Sequence, residues 1–337
     1  MATPRIMIIG DINIDAVITA SEYPPEGGEA VVERADFRLG GSGCNTAVTL
    51  AKLGAKALHV GNLGTEPLGQ MAMTSILTAG IDTQLLCQKD EYQTGFFSIL
   101  IYSGGQRTMF GGRGCNDLPP DFEQVASHIP SINALHLSGY TLKNDKQATV
   151  VQKIAEFARQ QGKVITLDPG ICTIKTAKAK VNAILPIVDY LLISQQELAD
   201  YAAPDTEENG IRKLLENGVK AVVLKMGAKG SQYIDSKQRF SQPAYQSEKH
   251  SIYDTTGAGD CFNAGFLFAL LNSLSLSDCL KFGNLTAYRT IITEHGMTDI
   301  GQSKNYLQDL RGLLGEFNLH AGQSVVLDEF LKSRESI

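Results

Sequence analysis

Four consecutive apolar residues, Ile6-Met7-Ile8-Ile9, are closed off by Gly10-Asp11. That pattern predicts a short strand buried on both faces and ending in a turn. Similar short runs recur at His59–Leu63, near Leu85, and at Ala134–Leu137, Val164–Leu167, Tyr190–Ile193 and Ala221–Leu224. Between them lie stretches with helical spacing: Leu68–Ala79, Asp145–Gln161, a segment ahead of Tyr190, and about Glu208–Asn217. Strands alternating with helices of this length predict an α/β fold, a mostly parallel sheet with helices on both faces. Toward the end of the chain, Cys261–Leu271 predicts a buried helix, Ser277–Glu294 an amphipathic one and residues 303–315 a third.

Two stretches break this rhythm. Residues 16–39 carry the apolar patches Ala16-Val17-Ile18 and Ala30-Val31-Val32 around the polar loop Pro24–Glu29. Residues 95–111 carry the apolar runs Gly95–Tyr102 and Thr108–Gly111, joined by Ser103-Gly104-Gly105-Gln106, a hairpin signature. Both are strand-like and only weakly apolar, as expected of a small sheet projecting from the core.

Composition narrows the class. With 337 residues, 43% of them hydrophobic, the chain can form one large α/β domain or two smaller ones. A net charge of −6 with dispersed basic residues excludes a nucleic-acid-binding surface. Six separated cysteines without a C-x-x-C pair read as free thiols in a reducing compartment and leave no zinc site. No signal peptide fits the N-terminus, and the longest apolar run, around Phe262–Leu271, is too short to span a bilayer. A soluble cytoplasmic protein with no membrane partner is the expectation.

Candidate chemistry concentrates at Asp254-Thr255-Thr256-Gly257-Ala258-Gly259-Asp260, directly ahead of the apolar helix. The first backbone N–H groups of a helix lack intrahelical partners and carry the positive end of its dipole. A Gly-Ala-Gly turn leaves those amides open to an anion such as a phosphoryl group. Asp260 is then either a base that takes a proton from an attacking hydroxyl or an N-cap of its helix. A second glycine-rich stretch, Gly40-Gly41-Ser42-Gly43-Cys44-Asn45-Thr46-Ala47, opens another helix. It is not a dinucleotide fingerprint: Thr46 stands where the third glycine belongs, and the strand before it is weak. Its glycines allow a small ligand to approach the backbone, with Asn45 offering a donor and an acceptor. Asp11 and Asp15 follow the first strand, where ligands of open α/β sheets bind; Asp15 is either a hydroxyl acceptor or a solvated turn residue. Arg113, in Gly111-Gly112-Arg113-Gly114, is a candidate to reach a phosphoryl group.

With both glycine motifs in order and about 200 residues apart, the chain from about residue 5 to 312 resembles the ribokinase-like (PfkB) carbohydrate kinases. Gly40 to Ala47 with Gly54 and Gly64 fills the first family signature, and Asp254 through Leu267 the second. The resemblance implies a Rossmann-like core of residues 1–15, 40–94 and 112–315. To this it adds a β lid from 16–39 and 95–111, with 316–337 left as a C-terminal tail. It implies transfer of the ATP γ-phosphoryl group to an alcohol, usually a primary hydroxyl of a sugar or nucleoside. Asp260 falls on the catalytic base and Gly257-Ala258-Gly259 on the anion hole. Asp15, Gly41 and Asn45 fall on substrate contacts, with Asn13, Ser42 and Gly43 beside them. Lys225 to Gly230, including Gly227, matches the nucleotide loop, and Asn284 an adenine-side contact. Asp254 and Thr256 fall where some members bind a monovalent cation such as K⁺.

The sequence departs from the family at Ser194-Gln195-Gln196-Glu197, where the family usually shows Asn-x-x-Glu. Glu197 remains to organise Mg²⁺ through water, while Ser194 is too short for the usual metal and phosphate contact. Lys225 stands where several members carry Thr, and a lysine there can offset the loss by pairing with a phosphate. The runner-up activity is a nucleoside kinase; a non-catalytic sugar or nucleotide sensor is a reading from another class. An apolar lid, with Val31, Phe96, Phe97, Ile99 and Ile101, is expected to pair with a second copy.

Overall fold

The computed structural model describes residues 3–32, 34–102, 106–321 and 325–335. Among them are β1 (Arg5–Ile9), β2 (Asn13–Thr19), β3 (Arg34–Gly40), β4 (Lys56–Gly64), β5 (Leu86–Lys89), β6 (Gly95–Tyr102) and β7 (Gln106–Gly112). They continue with β8 (Ala134–Ser138), β9 (Val164–Asp168), β10 (Tyr190–Ser194), β11 (Ala221–Lys225), β12 (Ser231–Asp235) and β13 (Arg239–Gln242).

The larger sheet runs β13-β12-β11-β10-β9-β8-β1-β4-β5. It is parallel from β11 to β5 and closed at one edge by the antiparallel pair β12 and β13. β1 shows why the central strands are continuous apolar runs. Ile6 and Ile8 pack into one hydrophobic cluster and Met7 and Ile9 into the other, all four almost fully buried. Burying each such side chain contributes about 1.5–3 kcal/mol. One face is covered by helices Ser42–Lys52, Pro67–Ala79, Ala258–Leu271 and Leu276–Ile291. The other is covered by Asp145–Gln160, Ile171–Ile184, Gln195–Ala202 and Glu207–Glu216.

Among the elements that are new relative to the hydrophobic pattern, three extend the core or its edges. The hairpin β12–β13 is an edge ribbon whose polar positions alternate with Tyr233 and Phe240, stacked at 5.3 Å. Helix Phe122–His128 is capped by Asp121, which accepts from the Gln124 amide at 2.9 Å. The stretch 316–337, expected as a polar tail, completes helix Tyr306–Ala321 and then forms Val325–Glu335. That last helix buries Leu327, Phe330 and Leu331, a helical i, i+3, i+4 set, on the core.

The small sheet has the order β3-β2-β6-β7, with β2 and β6 parallel at its centre. Ala16-Val17-Ile18 lies in β2, but Ala30-Val31-Val32 does not form a strand; β3 begins at Arg34, and Val31 is 94% exposed. The expected turn at Ser103-Gly104-Gly105 lies outside the described residues. Strand alternation sorts the lid's apolar side chains. Phe97, Ile99 and Ile101 face inward with Asp15 and Val17, so they do not supply the outer surface expected of them. The outer face instead carries Phe37 and Phe110, 55% and 57% exposed, in one row across Ala16 and Ser98.

Candidate active site

A cleft of about 500 Å³ lies between the lid and the C-terminal ends of the parallel strands. At its floor, helix Ala258–Leu271 starts from Gly257, whose φ of 78° is the left-handed conformation glycine adopts without strain. Gly257 is the N-cap, so Asp260 is not; it lies in the helix's first turn. Its carboxylate accepts from the Ser42 hydroxyl and the Asn45 amide, each at 2.8 Å. Both donors come from the first turn of helix Ser42–Lys52, which the Gly40-Gly41 turn brings up to the cleft. Gly41 has φ 97°, and a Cβ there would lie 2.3 Å from the Asp11 carbonyl, so the close approach needs glycine.

Burial and the nearby Asp168 push the Asp260 carboxyl up to about 7, against the pull of Asn45, Ser42 and Lys225. Asp15 is also pushed up to about 7, first by burial and then by Asp260. Two buried carboxyls that titrate near neutrality in one cleft are candidates to handle a proton. Asn13 lines the same wall, its carbonyl oxygen fixed at 2.8 Å by the Asn116 amide, which also brackets the Ile12 backbone.

The opposite wall is built by β9, β10 and β11. Ser194 and Lys225 are register partners on β10 and β11. The Ser194 hydroxyl accepts from the Glu197 amide at 3.2 Å while Glu197 accepts from the Ser194 amide at 2.7 Å, a reciprocal capping box. Lys225 Nζ donates to Asp168 Oδ2 at 2.8 Å and to Asn263 Oδ1 at 3.2 Å. The Asn263 amide donates back to Asp168 at 2.5 Å. Burial alone would raise the Asp168 carboxyl, but Lys225 and Asn263 hold it below the usual carboxylate range. Burial and Asp168 push Glu197 up, against Lys225 and the Ser194 bonds. Among the described residues lining this cleft, Lys225 is the one cation beside five carboxylic acids: Asp11, Asp15, Asp168, Glu197 and Asp260.

Several expected site residues lie elsewhere. Arg113 does not reach the cleft with a free guanidinium; it bonds Asp11 at 2.5 Å, Asp117 at 2.6 Å and the Asn116 carbonyl. Its work is to neutralise buried Asp11. The Asn284 amide is tied to the Gln242 and Pro243 carbonyls, because its helix packs on β13. Gly230 closes the turn before β12, where a Cβ would strike the Gln242 carbonyl. Gly43 is a packing glycine against Gly10. Gly227, Gly257, Gly259 and Thr256 do line the cleft, whereas Asp254 lines a chamber of about 30 Å³ beside Asp15. Asp168, Asn263 and Tyr140 were not singled out in the sequence. Asn263 was findable, as the one polar residue in an otherwise apolar helix interior.

A parallel α/β core with a small β lid, and an aspartate beside helix-terminal amides at their junction, define a phosphotransferase of the sugar-kinase class. Residues 3–303 match the pfkB family carbohydrate kinase profile, and the chain belongs to that family. It is 27% identical over 303 residues to a ribokinase of Staphylococcus aureus (strain COL), covering 87% of this chain and 95% of the relative. Among solved structures it is similar to Arabidopsis thaliana ribokinase complexed with ribose and ATP. There the TM-score is 0.78 at 22% identity, over 92% of this chain and 99% of that one. Adenosine kinase from Sinorhizobium meliloti gives 0.75 at 22%, over 86% and 94%. No helix among the described residues is long and apolar enough to cross a membrane.

Proposed function

We propose that this chain transfers the γ-phosphoryl group of ATP to a hydroxyl, a primary one, of a small sugar. The observation that carries the reading is Asp260 held by Ser42 and Asn45 at the start of the helix where Gly257 and Gly259 line the cleft. Asp260 takes the proton from the acceptor hydroxyl. The oxygen then forms the new bond to phosphorus as the bond to ADP breaks and ADP leaves with its electron pair. The helix-terminal amides receive the charge on the transferring group. Asp15, Asn13, Ser42 and Asn45, around the Gly41 backbone, hold the acceptor's hydroxyls.

The wall of Ser194, Lys225 and Gly227 takes the nucleotide phosphates. Mg²⁺, when bound, neutralises those phosphates. The donor set fits a hydrated ion, since Glu197 lines the cleft with one carboxylate oxygen committed to the Ser194 amide. The lid, residues 16–39 and 95–111, covers the acceptor and excludes water. Its inner Phe97 and Met109 fit the apolar face of a sugar ring or a base, so nucleosides belong among the acceptors tested.

The outer row of Phe37 and Phe110 supports a homodimer through the lid. Acceptor-dependent ADP release across pentoses, hexoses, their phosphates and nucleosides tests the reading. ADP release that ignores every acceptor would contradict it.

A further inference from the structure

The inward face of β3 carries charge, whereas Val17, Phe97, Ile99 and Ile101 make most of the inward face of β2 and β6 apolar. Arg34, Asp36 and Arg38 alternate along it, opposite Thr19, Val17 and Asp15 of β2. This face docks onto two core loops. Arg34 pairs with Glu294 at 3.3 Å, with the His295 ring and with Asp36. Arg38, with only 14% of its side chain exposed, lies 3.7 Å from Asp254 and 3.3 Å from Asp36. Asp254 in turn accepts the Thr256 amide at 2.8 Å with its other oxygen, and Thr256 leads directly into Gly257. Two contacts therefore run from a lid strand to the turn that shapes the anion hole.

Asp254 and Thr256 are also where the family resemblance implies a monovalent cation. The Asp254 carboxylate here does not fit one. One Asp254 oxygen is engaged by the Thr256 amide and the other faces the Arg38 guanidinium. The adjoining chamber of about 30 Å³ is lined by Arg38 itself, with Asp15, Asn45 and His295. A second cation at Asp254 would meet the fixed like charge of the Arg38 guanidinium.

We propose that Arg38 supplies within the chain the positive charge that a monovalent cation would bring to Asp254. It thereby makes the lid strand part of the anion hole's support and the rate independent of K⁺. Arg38 is a positioning residue: it acts through Asp254 and the Thr256–Gly257 turn, and its charge also pulls down the carboxyl of Asp15, its neighbour on β2. The inference rests on the phosphoryl-transfer reading.

The test measures acceptor-dependent ADP release and thermal melting for wild type, Arg38→Met, Asp254→Asn and the double variant. Each is run in KCl, NaCl or choline chloride at one ionic strength. Wild-type rates and melting temperatures should be the same in all three salts, with rates differing by less than the ~5-fold of a coupled effector. Arg38→Met should lose about tenfold to a hundredfold in kcat, the scale of a misplaced catalytic group, with less change in the acceptor KM. It should regain rate and thermal stability in KCl but not in choline chloride, and the added Asp254→Asn change should remove that response. Strong K⁺ activation of the wild type would overturn the inference, as would an Arg38→Met variant with wild-type kcat or no response to K⁺. If wild type turns over no acceptor, the phosphoryl-transfer reading fails, and the melting data still show which variants bind K⁺.

Discussion

Ser194 and Lys225 stand side by side on neighbouring parallel strands. The short serine is spent on its own helix cap, and the long lysine reaches past it to Asp168 and Asn263. Breaking a buried pair from one side leaves an uncompensated charge. Lys225→Met and Asp168→Asn should each lower the melting temperature, and the double variant should recover most of it. The rate should not recover, because the proposed function gives Lys225 the nucleotide phosphates. Full recovery of rate in the double variant would reduce the pair to a structural one.

Asp260→Asn should lower kcat by about 10²–10⁴-fold, the range for a general base, with acceptor and ATP binding within a few-fold by calorimetry. A variant with normal turnover would leave Asp260 as part of the Ser42–Asn45 scaffold alone.

The pH profile follows from the same carboxyls. A base must be deprotonated to act, so kcat/KM should fall as pH drops below about 7, the value to which burial and Asp168 push Asp260. Asp15 titrates in the same range, so the limb belongs to the pair. Because Lys225 pulls Asp260 down, Lys225→Met should shift the limb to higher pH. An acid limb near 4 in the wild type would show that Asp260 is not held in a buried site.

His59 and His136, both fully buried on β4 and β8, are held neutral by burial, with pKa values lowered from 6.5 to about 4. The unfolded chain takes up protons below 6.5 while the native state does not until about 4. Stability from each is therefore full above 6.5 and is lost as pH falls toward 4, by on the order of 3 kcal/mol per histidine. The raised carboxyls of Asp15 and Asp260 act in the opposite direction over that window. The check is therefore a difference: His59→Leu should lose less melting temperature than wild type between pH 7.5 and 5. Identical pH dependence would contradict it.

How much was legible in the sequence follows from range of interaction. The parallel strands announced themselves because burial on both faces leaves continuous apolar runs such as Ile6–Ile9. The turn at Gly257 was legible because glycine and small residues ahead of an apolar helix have few other uses. The β12–β13 ribbon was not, since an edge strand needs only one apolar side chain in two. The Arg113–Asp11 and Asp168–Lys225 pairs were missed for one reason: the partners are 102 and 57 residues apart. No local pattern encodes such pairs.

The lid's outer row of Phe37 and Phe110 predicts a species near twice the 36.4 kDa chain mass in sedimentation at micromolar concentration. Replacing both with serine should yield the monomer. A wild-type monomer would mean that this row is left to solvent.

The measurement that bears most directly on the whole account is coupled ADP release from ATP and Mg²⁺ across sugars, sugar phosphates and nucleosides, run in parallel on wild type and Asp260→Asn. The account predicts at least one acceptor that drives ADP formation in the wild type and not in the variant. Binding of a sugar or nucleotide by calorimetry with no acceptor-dependent ADP from any of them would contradict it and leave a non-catalytic sensor.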